Sequence, residues 1–226
     1  MAIVADELGA PSTVHPPAAR TTVRPPRAAR RVVLRKVRRF IGPVKYDIRR
    51  VRKLTHEELI TQRLTDDEAR SVVRHPVSLI LEDIRSLYNV GSIFRTSDAF
   101  LVQELVLCGF TPTPPRKEIA KTALGADSTV PWSAAPSAVD AIAAKKAGGW
   151  TVLALELTTN PVSIDRLQAG HYPLCLVVGN ELTGVSAEAL AACDGSVAIP
   201  MHGVKHSLNV AVATGIALYE AVRQLP

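Results

Sequence analysis

Beyond His75-Pro76 the chain alternates short β-like runs with helical stretches, and this alternation restricts the fold more than any other feature. The β-like runs are Val77 to Leu81, Glu104 to Cys108, Thr151 to Leu157, Leu174 to Val178 and Val197 to Ile199. Helical spacing covers about Asn89 to Ala99, Ser137 to Ala147, Ser186 to Ala192 and Leu208 to Gln224. Parallel strands need a long crossover, usually a helix, so the alternation predicts an α/β fold: a mostly parallel sheet with flanking helices. With 47% apolar and only 4% aromatic residues, the core is expected to be aliphatic, built on Val, Leu, Ile and Ala. The last helix is apolar through Val210, Val212, Ile216, Leu218 and Val222, so it is expected to be buried against the sheet or a partner.

The N-terminal part reads differently. Residues 1–30 hold several prolines and small residues without hydrophobic period, and a disordered leader is expected there. Residues 31–75 are expected to form a basic helical extension. Within it Arg31 to Phe40 is basic and amphipathic, Gly42-Pro43 interrupts, and Thr55 to Glu58 and Thr65 to Glu68 both match capping boxes. Residues 76–226 then form one catalytic-sized domain. From Arg20 to Lys53 there are fourteen Arg or Lys residues against one acid, Asp47, in a chain of net charge +6. Such a segment suits a polyanion, and it equally suits a solvated tail without a partner.

The longest uncharged apolar stretches, such as Leu174 to Gly179, are too short to cross a bilayer, and no basic region followed by an apolar one opens the chain. A cytoplasmic protein is expected. Cys108, Cys175 and Cys193 stand far apart, so they read as buried structural thiols rather than a disulfide framework or metal site.

Sheets of this class bind ligands at the carboxyl ends of their strands, and three polar clusters fall at such places. The first is Asn89 to Thr96, where Ser92, Arg95 and Ala99 share one helical face while Val90, Ile93 and Phe94 point elsewhere. Arg95 either projects into a site or is a surface arginine. The second, Gly179 to Ser186, superficially matches a phosphate-cradling loop, but Val185 occupies the lysine position and Glu181 would repel phosphate. A turn of this kind suits a cationic or neutral ligand, or no ligand at all. The third, Ile199 to Val210, runs into the final helix, which Ser207 or Asn209 can cap. His202 and His206 are four apart, but no glutamate follows His202 and the stretch is loop-like, so no metal site is expected.

Taken together the clusters resemble the three motifs of the SpoU/TrmH RNA 2′-O-ribose methyltransferases of the SPOUT superfamily. Asn89-x-Gly91-x-Ile93-x-Arg95-Thr96 resembles the first, Gly179-Asn180-Glu181-x-x-Gly184 the second, and Ile199-Pro200-Met201-x-Gly203-x3-Ser207-Leu208-Asn209-Val210 the third. The resemblance implies a C-terminal deep trefoil knot, an exception to the usual rules of chain connection, which forms the pocket for S-adenosylmethionine. It also implies a homodimer whose active site borders the subunit interface, and tRNA or rRNA as substrate. Arg95 would be the catalytic arginine, Asn89 would support it, and Glu181, Ser207 and Asn209 would complete the polar site. Leu155, Gly179, Asn180, Ile199, Met201 and Leu208 would hold the cofactor.

No Gly-x-Gly-x-x-Gly occurs, so a Rossmann-type enzyme would lack its phosphate-binding turn. The competing readings are a knotted RNA-binding protein without catalysis, a SPOUT enzyme methylating a base, and a basic-tailed DNA-binding regulator. The last lacks any helix-turn-helix or zinc-finger spacing.

Overall fold

The computed structural model describes residues 52–226. The expected leader and the Arg31 to Phe40 stretch lie outside the described residues. Two short helices come first, α1 (His56–Gln62) and α2 (Asp66–Ser71), and both capping boxes form. In the first, Thr55 Oγ1 accepts from the Glu58 amide at 3.3 Å and the Glu58 carboxylate accepts from the Thr55 amide at 2.8 Å.

The sheet has seven strands: β1 (His75–Glu82), β2 (Val102–Cys108), β3 (Trp132–Ala135), β4 (Thr151–Leu155), β5 (Val162–Ser163), β6 (Leu174–Val178) and β7 (Gly195–Ala198). Their order is β3-β2-β1-β6-β4-β7-β5, and every neighbouring pair is parallel. The central strands are continuous apolar runs because helices cover both faces. On one face Leu79, Leu81, Leu105 and Leu176 pack with Ile93 and Phe94 of α3 (Leu87–Ala99), Ile119 of α4 (Lys117–Ala123) and Leu218 of α8 (Val210–Arg223). On the other, Ile80, Val106, Val152, Cys175 and Val177 meet Ile142 of α6 (Ala138–Ala147) and Ala189 of α7 (Ala187–Ala192). A four-residue helix, α5 (Ala126–Thr129), precedes β3.

The five strands expected from sequence are present, with β4 ending at Leu155 and β7 starting earlier, at Gly195. Strands β3 and β5 and helices α4 and α5 were not legible. Strand β3 lies at the sheet edge with Trp132, Ser133 and Ala134 exposed, so it carries no buried face to impose a period. In the last helix Thr214, Ala217, Leu218 and Ala221 are buried against the rest of the chain, whereas Val212 and Ile216, expected to meet the sheet or a partner, are exposed in the single chain. Cys108 and Cys175 are buried and Cys193 is half-buried. Burial pushes the first two thiols up to about 12 and the third to about 11. Among the described residues no helix is long and apolar enough to cross a membrane.

Because β6 inserts between β1 and β4, with β7 beyond β4, the turns leaving these four strands converge at one edge of the sheet. This places Asn89, Glu181 and Asn209, which are far apart in sequence, at the same end of the molecule.

Candidate active site at the carboxyl edge of the sheet

The turn after β6 folds on itself through a pair of backbone hydrogen bonds, Asn180 N–H to Gly184 O at 3.0 Å and Gly184 N–H to Asn180 O at 2.9 Å. Gly184 takes φ 71°, a left-handed conformation that glycine adopts without a Cβ penalty. The Asn180 side chain accepts from the Leu182 amide at 2.9 Å and donates to the Asp83 carbonyl at 2.7 Å. The turn is thereby fixed both internally and against the segment leaving β1.

Glu181 joins the same two segments through its carboxylate. It accepts from the Arg85 amide at 2.8 Å, the Ser86 amide at 3.0 Å and Asn89 Nδ2 at 2.9 Å. Asn89 lies in the first turn of α3, whose N-cap is Ser86. Its Oδ1 accepts from Asn209 Nδ2 at 3.1 Å, and Asn209 Oδ1 in turn caps α8 by accepting from the amides of Ala211 and Val212 at 2.9 and 3.3 Å. The three polar clusters therefore meet in one chain of hydrogen bonds, Glu181 to Asn89 to Asn209. Of the two candidate caps in the third cluster, Asn209 is the one that caps.

Burial would raise the Glu181 carboxyl, but the Arg85 amide, Asn89 Nδ2 and the Ser86 amide outweigh it and hold the group below the usual carboxylate range. A depressed folded-state value stabilises the fold above the unfolded value and loses that contribution as pH falls through the folded one. The contribution of Glu181 is accordingly complete above about pH 4.3 and fades in more acid solution. Glu181→Gln keeps only one acceptor oxygen for three donors. The expected result is a lower melting temperature at pH 7 and a smaller difference from wild type at pH 3, read from thermal melts across pH.

Beside this chain lies a cleft of about 820 Å³. All six residues expected to hold a cofactor, Leu155, Gly179, Asn180, Ile199, Met201 and Leu208, line it, and so do Glu181, Ser207 and Asn209. Ser207 is exposed and makes no hydrogen bond among the described residues. Asn89 reaches the site through its partners rather than by lining the cleft. Arg95 stands apart. It lies further along α3, is exposed, has no hydrogen-bond or ion-pair partner among the described residues, and does not line the cleft.

Three carboxylates at strand ends escaped the sequence reading. Glu156, just after β4, lines the cleft and accepts from the Val185 amide at 3.1 Å and the Leu157 amide at 2.9 Å. Glu82, at the end of β1, is buried and accepts from the Ser186 amide at 2.9 Å and the Ser186 hydroxyl at 2.6 Å, fixing the start of α7. Asp83 accepts from the Phe110 amide at 2.9 Å. The only signal in the sequence was an acid closing each apolar run. Among the described residues no group of three or more His, Cys, Asp or Glu side chains is placed to hold a metal ion.

A parallel α/β sheet with a ligand cleft at its carboxyl edge, and no phosphate-binding glycine turn, defines a cofactor-binding protein outside the Rossmann class. The chain belongs to the SpoU rRNA Methylase family, whose model matches residues 76–219. It is 36% identical over 148 residues to the tRNA (guanosine(18)-2′-O)-methyltransferase of Escherichia coli, a match covering 66% of this chain and 63% of that one. The chain thus spans less than two thirds of the length of this curated relative. Among solved structures, the AdoMet-bound rRNA methyltransferase from Sinorhizobium meliloti superposes with a TM-score of 0.63 at 30% identity, covering 70% of this chain and 60% of that one. The TrmH/SpoU tRNA modifying enzyme of A. aeolicus gives the same TM-score at 32% identity, covering 70% of this chain and 81% of its own.

Proposed function

We propose that this protein is an S-adenosylmethionine-dependent methyltransferase that modifies a ribose 2′-hydroxyl in structured tRNA or rRNA. The observation that carries the reading is the hydrogen-bonded chain from Glu181 through Asn89 to Asn209, whose two end residues line the cleft. Family membership and the printed activities of the relatives support it.

The cleft suits this cofactor chemically. Leu155, Ile199, Met201 and Leu208 give apolar walls for an adenine ring, and the Gly179 to Gly184 turn lines the cleft beside them. Two carboxylates, Glu156 and Glu181, favour a cationic ligand and disfavour a nucleoside triphosphate. When bound, S-adenosylmethionine supplies an electrophilic methyl group on a sulfonium. The chain must align an acceptor hydroxyl with that methyl and stabilise negative charge growing on the oxygen. Arg95 serves that role as a phosphate clamp and electrostatic stabiliser, since a guanidinium hardly deprotonates and makes a poor base.

On the same reading two copies pair through the outer face of α3 and α8. Val212, Ile216 and Tyr219, spaced four and three residues apart, form an exposed apolar stripe on α8. Beside it Thr96 of α3 approaches Gly215 and Phe100 stacks edge-on with Tyr219 at 6.3 Å, so Arg95 and Ala99 border the stripe. Pairing there brings Arg95 towards the cleft of the second copy. The knot is supported by the way residues 199–209 run beside the 179–185 turn to line one cleft. The basic stretch from Arg20 to Lys53 supports RNA as partner, and the absence of a membrane-spanning helix among the described residues accords with a cytoplasmic place of work.

The test is incubation of the full chain with methyl-labelled S-adenosylmethionine and total RNA from cells lacking the protein, followed by mapping of the label. Label on one ribose 2′-oxygen is expected. Label on a base points to the other enzymatic branch. RNA binding without any label points to a knotted binder without catalysis.

A further inference from the structure

Phe110 follows β2 and is 61% exposed, yet its backbone is tied to the segment leaving β1. Its amide donates to Asp83 Oδ1 at 2.9 Å. On its other side Thr111 is buried, its hydroxyl donating to the Leu81 carbonyl at 3.0 Å and accepting from the Ile84 amide at 3.0 Å. Gly109, at φ 61°, admits this arrangement because a Cβ there would stand 2.0 Å from Asp83 Oδ1. Asp83 itself is left-handed at φ 52°, a conformation that L residues other than Asn and Asp seldom adopt. Strain of this kind persists where surrounding bonds over-determine it and tends to mark functional positions. Here both ends of the residue are engaged: the carboxylate by Phe110 and the carbonyl by Asn180 Nδ2 at 2.7 Å. The backbone that carries the ring is thus tied, through two hydrogen bonds, to the turn that lines the cleft.

A large apolar ring that leaves 61% of its surface in solvent gains little from its own chain. Exposed Arg116 and Lys117 follow six and seven residues further on, ahead of one exposed acid, Glu118, and add positive charge to the segment leaving β2. Unpaired RNA bases stack on exposed aromatic rings while neighbouring cations take the phosphates.

We propose that Phe110 is a stacking platform for an unpaired base of the substrate RNA beside the nucleotide that is methylated, with Arg116 and Lys117 on the adjoining phosphates. This rests on the reading that the protein methylates RNA. The hydrogen bonds through Asp83 and Asn180 tie the Phe110 backbone to the turn that would hold the methyl donor, so the platform would position the substrate as well as add affinity.

The experiment compares wild type, Phe110→Ala and Phe110→Trp as full chains, with total RNA from cells lacking the protein as probe. Filter binding reads RNA affinity, steady-state labelling reads KM and kcat, calorimetry reads S-adenosylmethionine affinity, and a melt reads stability. Phe110→Ala should weaken RNA binding and raise KM on the order of ten- to hundred-fold, as loss of one stacked base does. Cofactor affinity and melting temperature should stay at wild type, and Phe110→Trp should retain binding. RNA affinity of Phe110→Ala within two-fold of wild type would overturn the proposal, as would a Trp variant as weak as the Ala variant. A parallel loss of cofactor affinity would also overturn it, by making the residue a support of the cleft. Wild-type protein that binds RNA but transfers no label would sink the enzymatic reading alone, because filter binding still reports on Phe110.

Discussion

Arg95→Ala is expected to lower kcat for RNA methylation about 10²- to 10³-fold, the usual effect of removing one donor that stabilises charge developing in a transition state. Affinity for S-adenosylmethionine should not change, because Arg95 does not line the cleft. Melting temperature should hardly move, because the side chain is exposed and has no partner among the described residues. Arg95→Lys keeps the charge but loses the planar fork that grips phosphate, so it should recover only part of the rate. A further consequence concerns the subunits. If Arg95 of one copy serves the cleft of the other, mixing Arg95→Ala with a cleft variant should restore activity that neither shows alone. Full methylation by Arg95→Ala would remove the residue from the reaction, and failure of the mixture would remove the shared site.

How much of this was legible in the sequence depended on what imposed the signal. Strands β1 and β6 could be read because both their faces are buried, so Leu79 to Leu81 and Leu174 to Val178 had to be continuously apolar. Strand β3 could not, because at the sheet edge Trp132 and Ser133 answer to solvent. Helix α4 buries only Ile119 and Ala123, too few positions to show a helical period. In α8 the spacing identified a helix but not which apolar residues face inwards, since Val212 and Leu218 are both apolar and only the packing of the helix on α3, β1 and the 164–166 turn distinguishes them. The site followed the same division. Asn89, Glu181 and Asn209 stood out as polar residues in three remote clusters, and their side chains do meet. Glu82, Asp83 and Glu156 did not stand out, because all but one of the partners of their carboxylates, the Ser186 hydroxyl on Glu82, are backbone amides, and a backbone amide leaves no mark in sequence. Sequence therefore disclosed the polar residues grouped in the three clusters and concealed isolated carboxylates at strand ends, whose bonds run mainly to backbone amides.

The turn after β6 gives the sharpest structural test. A Cβ added at Gly179 would stand 2.2 Å from the carbonyl carbon and oxygen of Gly184 and from the Val185 nitrogen. Carbon atoms in good contact sit about 3.5 to 4.0 Å apart, so the turn would have to open. It has little room to do so. Asn180 and Gly184 hold each other through two backbone bonds, and Asn180 is anchored to Asp83. Gly184 is backed by the Glu156 carboxylate, which a Cβ there would meet at 2.3 Å. Gly179→Ala is therefore an overpacking change against backbone, expected to destabilise by about 2 to 3 kcal/mol. For a domain of this size that corresponds to a fall of roughly 5 to 10 °C in melting temperature. Because Gly179 also lines the cleft, affinity for S-adenosylmethionine should drop at least ten-fold even at temperatures where the variant remains folded. Gly170→Ala provides the control, since nothing lies within 4 Å of its added Cβ and it stands outside the three clusters and the cleft, so both quantities should stay at wild type. A Gly179→Ala protein that melts and binds cofactor as wild type does would mean that the turn yields far more readily than its hydrogen bonds imply.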